Sequence, residues 1–164
     1  NVLLSSGSDN LIIATKQGSA AHFNEKDVTN VGRNSVGVRG IKLEQGDDVI
    51  GMEKALENIT LLTITSNGYG KRTKVNEYRL IKRGGKGVIN ILTKYIKQDS
   101  RNEEVVAIKA VFDDDEIMLI TEKGITIRMP VNQISVVGRN TSGVKVIKLE
   151  NNDKVSSIAK INKE

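Results

Sequence analysis

Glycines and cations occur together in residues 81–87 (Ile-Lys-Arg-Gly-Gly-Lys-Gly), in a pattern that could bind phosphate. Glycine lets a backbone approach a ligand closely and present its N–H groups, and the flanking cations neutralise phosphate charge. The segment is not a P-loop, because the Gly-Lys-Ser/Thr ending at the six-residue spacing is absent. A strand is predicted to follow it, so no helix N-terminus is available to hold a nucleotide. The pattern therefore indicates contacts to the phosphates of a duplex.

The positive charge of the chain is concentrated around this segment. The formal net charge is +5, and residues 1–54, 55–109 and 110–164 carry −1, +6 and 0. A focused basic patch is typical of nucleic-acid binding, and a solvated face without a partner is the alternative interpretation. With only three tyrosines and two phenylalanines, the chain has few rings on which single-stranded bases could stack. We therefore predict binding to double-stranded DNA.

The predicted DNA-binding residues are the glycine-rich segment, the other cations near it, and cations in two matching loops. Backbone contacts by such loops position and bend DNA without reading its bases. The residues are Lys82, Arg83, Gly84, Gly85, Lys86, Gly87, Lys71, Arg72, Lys74, Arg79, Arg33, Arg39, Arg139 and Lys145.

Other residue types that could support catalysis or metal binding do not form a pattern. His22 is the only histidine, and its position within a predicted strand indicates a structural or surface role rather than a catalytic triad. The acidic residues 113–116 lack the pattern of a calcium loop and predict a solvated turn. The absence of cysteine excludes disulfides and thiolate metal sites. We predict no catalytic residue, no metal site and no cofactor in this chain.

Two sequence patterns recur three times along the chain. One ends in Gly18, Gly68 and Gly124, and the other is a loop at residues 31–38, 81–88 and 137–144; both recur after 50 and then 56 residues. The six additional residues fall in the polar residues 94–102, which predict a longer loop. The chain is therefore predicted to contain three blade-like repeats. Their bounds are residues 1–56, residues 57–111, which carry the basic glycine-rich segment, and residues 112–164.

Each repeat has the residue pattern of short strands. Apolar and polar residues alternate with a period of two, and glycine turns separate the runs. The predicted strands are residues 11–15, 20–23, 37–43 and 49–52, then 60–65, 71–75, 87–92 and 105–111, then 116–121, 125–129, 143–149 and 155–161. Residues 54–58 are the only helix-like stretch and are too short to predict a helix. We predict an all-β fold of propeller-like blades, with about four antiparallel strands per repeat.

Three blades cannot close a ring, so the two outer blades are expected to expose apolar surface or strand edges. The chain is therefore either part of a larger repeat domain or a chain that self-associates, and both possibilities stay open. No stretch approaches the roughly 20 apolar residues that span a bilayer, and no secretion signal is present at the N-terminus. We expect a cytoplasmic protein without a membrane partner.

The glycine-rich segment resembles the gyrase A-box, usually written Gln-Arg/Lys-Arg-Gly-Gly-Lys/Arg-Gly, of the C-terminal domain of bacterial DNA gyrase A subunits. Residues 67–72, 78–80, 32–34 and 138–140 are also similar to that domain. Ile81 stands where the box has glutamine. The resemblance implies half of a six-bladed β-pinwheel that wraps duplex DNA around a basic rim, as a non-catalytic part of a type IIA topoisomerase.

The resemblance also implies partners and a mechanism for the whole enzyme. Gyrase introduces negative supercoils with ATP, and its ATP and Mg²⁺ are used outside this domain. The implied partners are the rest of the gyrase A protein and the gyrase B protein. Two alternatives stay open: the related C-terminal domain of the topoisomerase IV A protein, and a propeller-type scaffold whose blade edges bind protein.

Overall fold

A computed structural model describes residues 1–161, and these form strands and three single-turn 3-10 helices. The helix-like stretch at residues 54–58, too short for a predicted helix, does not form one. Lys54 ends a strand, and Ala55 continues the same ladder by donating its N–H to Asn10 O (2.8 Å). The strands are β1 (Asn10–Thr15), β2 (Ser19–Asn24), β3 (Val49–Lys54), β4 (Thr60–Thr65), β5 (Tyr69–Lys74), β6 (Val88–Ile89), β7 (Val105–Val111), β8 (Glu116–Thr121), β9 (Thr126–Pro130), β10 (Val144–Lys145) and β11 (Val155–Ile161).

The strands form three antiparallel sheets, which confirms the predicted all-β fold of blade-like repeats. Sheet 1 has the order β3-β1-β2-β6, sheet 2 the order β10-β5-β4-β7, and sheet 3 the order β11-β8-β9. Strands β3, β7 and β11 contact one another in succession and form the inner side of the array. The edges of the sheets formed by β6, β10 and β9 are therefore the outer side.

The outermost strand of sheets 1 and 2 comes from the following repeat. Strand β6 of the second repeat pairs with β2 in sheet 1, where Ala20 lies opposite Val88. Strand β10 of the third repeat pairs with β5 in sheet 2, where Gly70 lies opposite Val144. Each repeat thus contributes a strand to the sheet of the repeat before it, which we call strand exchange, and consecutive repeats are joined by this pairing as well as by side-chain packing.

Strand exchange corrects the predicted third strand of each repeat. Residues 37–43 of the first repeat are not a strand and belong to none of the three sheets of the described residues. The predicted strands at residues 87–92 and 143–149 shorten to two residues each. They end early because the chain leaves the sheet edge: Asn90 N and Ile91 N both donate to Gly18 O, at 2.8 and 3.2 Å.

Two of the three hydrophobic clusters lie between sheets, and the third lies within the first repeat, on sheet 1. Side chains of sheets 1 and 2 meet in one cluster that includes Ile12, Leu61 and Ile108. A second cluster joins sheets 2 and 3 through Leu62 and Ile117. Burial of large aliphatic side chains at such interfaces stabilises a fold by roughly 1.5–3 kcal/mol per side chain, so each sheet depends on its neighbour for stability.

Candidate nucleic-acid interface

The glycine-rich segment forms the box loop, residues 81–87, at the outer edge of sheet 1. Two main-chain hydrogen bonds join it to the chain that follows the equivalent loop of the first repeat: Gly84 N donates to Gly40 O and Lys42 N donates to Gly85 O, each at 2.8 Å. The box loop therefore packs directly against residues 40–42.

The third repeat extends the same arrangement. Leu92 N of the second repeat donates to Thr141 O of the third repeat at 3.0 Å, which repeats the bond between Lys42 and Gly85. We call residues 31–37, 81–87 and 137–143 the rim loops. Each rim loop contacts the chain that follows the preceding one, so the three lie in one continuous row along the outer side of the array.

In the second and the third rim loop, an arginine side chain hydrogen-bonds the loop to the preceding repeat. The half-buried Arg83 donates Nε–H to Asp27 O (2.9 Å) and Nη1–H to Arg39 O (2.5 Å). Arg139 donates Nη1–H at 3.2 Å to the carbonyl oxygen of Ile89. Ile89 is the residue of the second repeat that is equivalent to Arg39. Carbonyl oxygens orient these guanidinium groups without cancelling their charge, which leaves a net positive potential at the rim.

Four of the predicted cations near the box loop lie on the surface. Lys74, Arg79, Lys82 and Lys86 are exposed. Lys86 Nζ lies 3.2 Å from Glu44 Oε1, and both side chains are mostly exposed. Ion pairs of this kind contribute about 0–1 kcal/mol, so a phosphate could replace Glu44 at little cost.

Lys71 lies in the interior, which corrects the expectation that it belongs to the basic surface. Its side chain is fully buried, and Nζ donates to Gly138 O (2.8 Å), Arg139 O (2.6 Å) and Thr141 O (3.4 Å). Burial lowers the pKa of Lys71 to about 7. The third rim loop covers this lysine, so Lys71 holds that loop against sheet 2 instead of facing solvent.

Arg72 is also buried, and the same correction applies to it. Its Nε–H donates to Ile134 O at 2.7 Å, and its Nη1 forms an ion pair with Asp113. These contacts join β5 to the turns of the third repeat. Two of the three cations of β5, Lys71 and Arg72, are therefore inter-blade contacts, and the basic surface loses both of them.

The glycines of the box loop serve close packing. Gly84 has φ +82° and its N–H donates to Gly40 O, just after the preceding rim loop. A Cβ at Gly87 would lie 2.4 Å from Ala20 O, so only glycine lets the loop enter the edge of sheet 1. Gly85 is half-buried, and its carbonyl accepts the bond from Lys42. The Gly84 N–H and the Gly85 carbonyl are thus bonded to protein rather than presented to a ligand.

The remaining predicted cations lie along the first and third rim loops. Arg33 and Arg39 are exposed, and Arg39 contacts Arg83 through its carbonyl. Lys145 is exposed on β10, with Nζ 5.6 Å from the centroid of the Tyr69 ring. The structure therefore places Arg33, Arg39 and Lys145 in the same row as the box loop.

Two cations that the sequence reasoning missed lie beside this row. Lys42 and Lys148 are exposed, and each lies nine residues after the arginine of its rim loop. That shared offset is the signal that could have identified them. Ile81, which replaces the glutamine of the box, packs against the hydrophobic cluster of sheet 1, so its side chain faces protein.

The other candidate residues, the histidine and the acidic turn, make contacts within the protein. His22 is buried, with Nδ1 2.7 Å from Tyr78 O. Asp115 accepts a hydrogen bond from Phe112 N (2.7 Å) and pairs with Lys160 (2.6 Å). Within residues 1–161, no group of three or more His, Cys, Asp or Glu side chains could hold a metal ion. No helix in that part of the chain is long and apolar enough to cross a membrane.

Comparison with known proteins relates the whole chain to one family. The family described as DNA gyrase C-terminal domain, beta-propeller, matches residues 9–55, 60–111 and 115–162. The DNA gyrase A protein of Staphylococcus aureus (strain MRSA252) is 40% identical over 165 residues, which cover 99% of this chain and 18% of that protein. The chain thus spans about a fifth of the length of the curated relatives it matches.

Two solved structures share the arrangement of the blades. A DNA gyrase A C-terminal domain is 34% identical with a TM-score of 0.85, and the match covers 94% of this chain and 51% of that one. A DNA topoisomerase IV C-terminal domain is 27% identical with a TM-score of 0.89, and the match covers 98% and 49%. With three matched repeats and these relatives, the chain belongs to the family of DNA gyrase C-terminal β-propeller domains.

Proposed function

We propose that this chain binds duplex DNA along its rim loops and bends it around the outer side of the blades. The observation that carries this proposal is the continuous row of rim loops, each hydrogen-bonded to the chain of its neighbour. A row of fixed loops presents positive charge at regular intervals, and regular phosphate contacts can hold a bent duplex without reading its bases.

The distribution of carboxylates supports this location. Elsewhere on the blades, exposed or half-buried cations pair with carboxylates, as in Lys16–Glu104, Lys109–Glu53 and Lys154–Glu103. Along the rim, Arg83 and Arg139 contact main-chain carbonyls instead. These two guanidinium groups keep their charge, and the exposed Lys86–Glu44 pair of the box loop is weak, so the rim keeps positive charge that can attract phosphate.

In a complete gyrase A protein, the bent duplex would be the DNA on which other domains carry out the topoisomerase reaction. The curated relatives are DNA gyrase A proteins, and we infer that this domain contributes DNA wrapping to ATP-dependent negative supercoiling. Strand cleavage, ATP hydrolysis and Mg²⁺ binding would belong to other domains and to the gyrase B protein. The domain itself would be non-catalytic and without a cofactor, and we place it in the cytoplasm with its DNA.

The topoisomerase IV A protein is the nearest alternative. Its solved domain has the higher TM-score, 0.89 against 0.85, but the lower identity, 27% against 34%. We give the identity more weight, because blade geometry is shared by both families whereas the Arg83-Gly-Gly-Lys-Gly87 core belongs to the gyrase box. A protein-binding scaffold is the other alternative. It predicts an affinity for a protein partner that does not weaken as the salt concentration rises.

The salt dependence of duplex binding tests the proposal. We would measure the Kd of the chain for DNA across a salt series and compare it with the variant Lys82→Ala/Lys86→Ala. Each lost phosphate contact reduces the log–log slope by about 0.9, so the double variant should lose up to about 1.8. Arg83 is left unchanged because its hydrogen bonds also hold the box loop against the first repeat.

The matched control removes two lysines from the third blade, in Lys123→Ala/Lys160→Ala. Lys123 lies in the turn between β8 and β9, and Lys160 lies in β11 and pairs with Asp115. This control has the same net charge as the test variant and should retain most of the wild-type slope. Equal losses in both variants would mean that only net charge matters, and a wild-type affinity independent of salt would favour the protein scaffold.

A further inference from the structure

The two ends of the segment that contains the box loop meet in the protein interior. Tyr78 caps the single-turn helix that follows β5, and Asn90 directly follows β6. The Tyr78 hydroxyl donates to Asn90 Oδ1 at 2.6 Å, and Asn90 Nδ2 donates to Thr63 Oγ1 of β4 at 3.1 Å. Residues 79–89, which include the whole box loop, are therefore closed at their base by a side-chain hydrogen bond.

These three side chains, Tyr78, Asn90 and Thr63, are called the loop anchor below. Tyr78 is 1% exposed, and Asn90 and Thr63 are 0% exposed. Tyr78 belongs to the hydrophobic cluster between sheets 1 and 2. Burial raises the pKa of Tyr78, so its hydroxyl keeps the proton that it donates. Because water does not reach these groups, it does not compete for their hydrogen bonds, and an unpaired partner would be costly.

The loop anchor is found only in the repeat that carries the box. Replacement of both partners of a buried hydrogen bond by apolar groups of the same shape is often nearly neutral for stability, so the blade fold does not require polar residues here. At the offsets of 50 and 56 residues, the equivalent residues are Ile13, Val28 and Gly40 in the first repeat and Leu119, Ile134 and Val146 in the third. The polar residues of the loop anchor therefore indicate a role that belongs to the box loop itself.

The third rim loop is held in a different way. Lys71 lies beneath it and donates from Nζ to Gly138 O and Arg139 O, at 2.8 and 2.6 Å. The residue equivalent to Lys71 beneath the box loop is Ala21, whose side chain has no donor for the loop carbonyls. The box loop is thus fixed at its base by the loop anchor, where the third rim loop is fixed from below by a lysine.

Both arms of the box-loop segment are also bonded to the β1–β2 hairpin. Ile81 N donates to His22 O at 2.8 Å, and His22 Nδ1 lies 2.7 Å from Tyr78 O. On the other arm, Asn90 N donates to Gly18 O at 2.8 Å. These bonds place each arm on sheet 1, and the hydrogen bond between Tyr78 and Asn90 fixes one arm relative to the other.

We propose that the loop anchor positions the box loop for contact with DNA phosphates. This inference rests on the DNA binding proposed above. Lys82 and Lys86 are exposed on a loop whose base is fixed, so the backbone that carries them is in place along the rim before a duplex arrives. A loop that is already ordered loses less conformational entropy on binding. Tyr78 and Asn90 are buried and act through the loop, which makes them positioning residues.

The variant Tyr78→Phe tests this inference, because it removes the donor and keeps the ring. Its Kd for duplex DNA should be roughly 3- to 10-fold higher than that of the wild type. Amide hydrogen exchange at Ile81 and Gly84, whose N–H groups bond the loop to the first repeat, should be faster than in the wild type. Exchange in sheet 3 should be unchanged.

The matched control is Thr121→Val, which removes a buried hydroxyl of sheet 3. Thr121 Oγ1 accepts a hydrogen bond from Ile125 N at 3.2 Å, far along the chain from the box. This control should keep the Kd within about twofold of the wild type, since distant sites act independently. Thermal unfolding of both variants checks that they fold and compares their losses of stability.

A double-mutant cycle separates positioning from a general loss of stability. Tyr78→Phe is introduced into the Lys82→Ala/Lys86→Ala variant, where it should change the Kd by less than about twofold, because the loop no longer carries the lysines that it positions. An equal loss of affinity in both backgrounds would overturn the inference. Salt-dependent DNA binding that Tyr78→Phe leaves unchanged would overturn this inference alone, whereas a wild-type affinity independent of salt would overturn the proposed function with it.

Discussion

Single cations in this chain either hold the blades together or remain on the surface. Lys71 is buried under the third rim loop, whereas Lys74 on the same strand is exposed. The sequence analysis predicted both as DNA-binding cations, because they belong to the concentration of positive charge around the glycine-rich segment. The loop that covers Lys71 comes from the next repeat, so no local pattern could separate the two lysines.

The buried Lys71 predicts a dependence of stability on pH. Burial lowers its pKa from 10.5 to about 7, so between these values the unfolded chain holds a proton that the folded chain releases. Stability therefore rises with pH across that window, and below it both states are protonated. Each pKa unit corresponds to about 1.4 kcal/mol, and the oxygens around Nζ offset part of the shift, so we expect a rise of roughly 1–3 kcal/mol.

Chemical denaturation at a series of pH values measures this effect against Lys71→Met. The free energy of unfolding of the wild type should increase relative to that variant as the pH rises through the window. Lys74→Met, which changes an exposed neighbour on β5, should follow the wild type. A constant difference between wild type and Lys71→Met would show that Lys71 keeps its proton throughout.

The strands of each blade were predictable, but their partners were not. The spacing of Gly18, Gly68 and Gly124 predicted three hairpins, and alternation predicted most of the strands around them. Alternation specifies which face of a strand is buried and carries no information about the neighbouring strand. The exchange of β6 and β10 into the preceding sheets could therefore be found only in the structure.

Strand exchange predicts that Gly87 is required for stability. A Cβ at this residue would lie 2.4 Å from Ala20 O of the accepting sheet, and the residue has φ +76°. Gly87→Ala should therefore lower the free energy of unfolding by roughly 2–4 kcal/mol, through strain and loss of the exchanged strand. Denaturation of Gly46→Ala, where φ is +73° and a Cβ would only make an ordinary contact with Gln17 Nε2 at 3.8 Å, measures the strain alone and should give about 1 kcal/mol. Equal losses would mean that the exchange contributes little.

Taken together, the blades form an array with an inner side of β3, β7 and β11 and an outer row of rim loops. The sequence predicted the basic middle repeat and most of the surface cations in this row. It could not predict that each rim loop contacts the chain that follows the preceding one, since that contact depends on how each exchanged strand crosses the edge of the sheet before it. The path available to a duplex follows from this arrangement rather than from any single loop.

Bending of bound DNA is the most direct test of this account. A duplex of about 40 base pairs is stiff, because the persistence length of DNA is about 150 base pairs. With fluorophores at its two ends, energy transfer should rise when the chain binds and should fall again as salt releases the DNA. The Lys82→Ala/Lys86→Ala variant should need more protein to reach the same rise. Saturated binding without any change in energy transfer would contradict the proposal that the rim loops bend DNA around the blades.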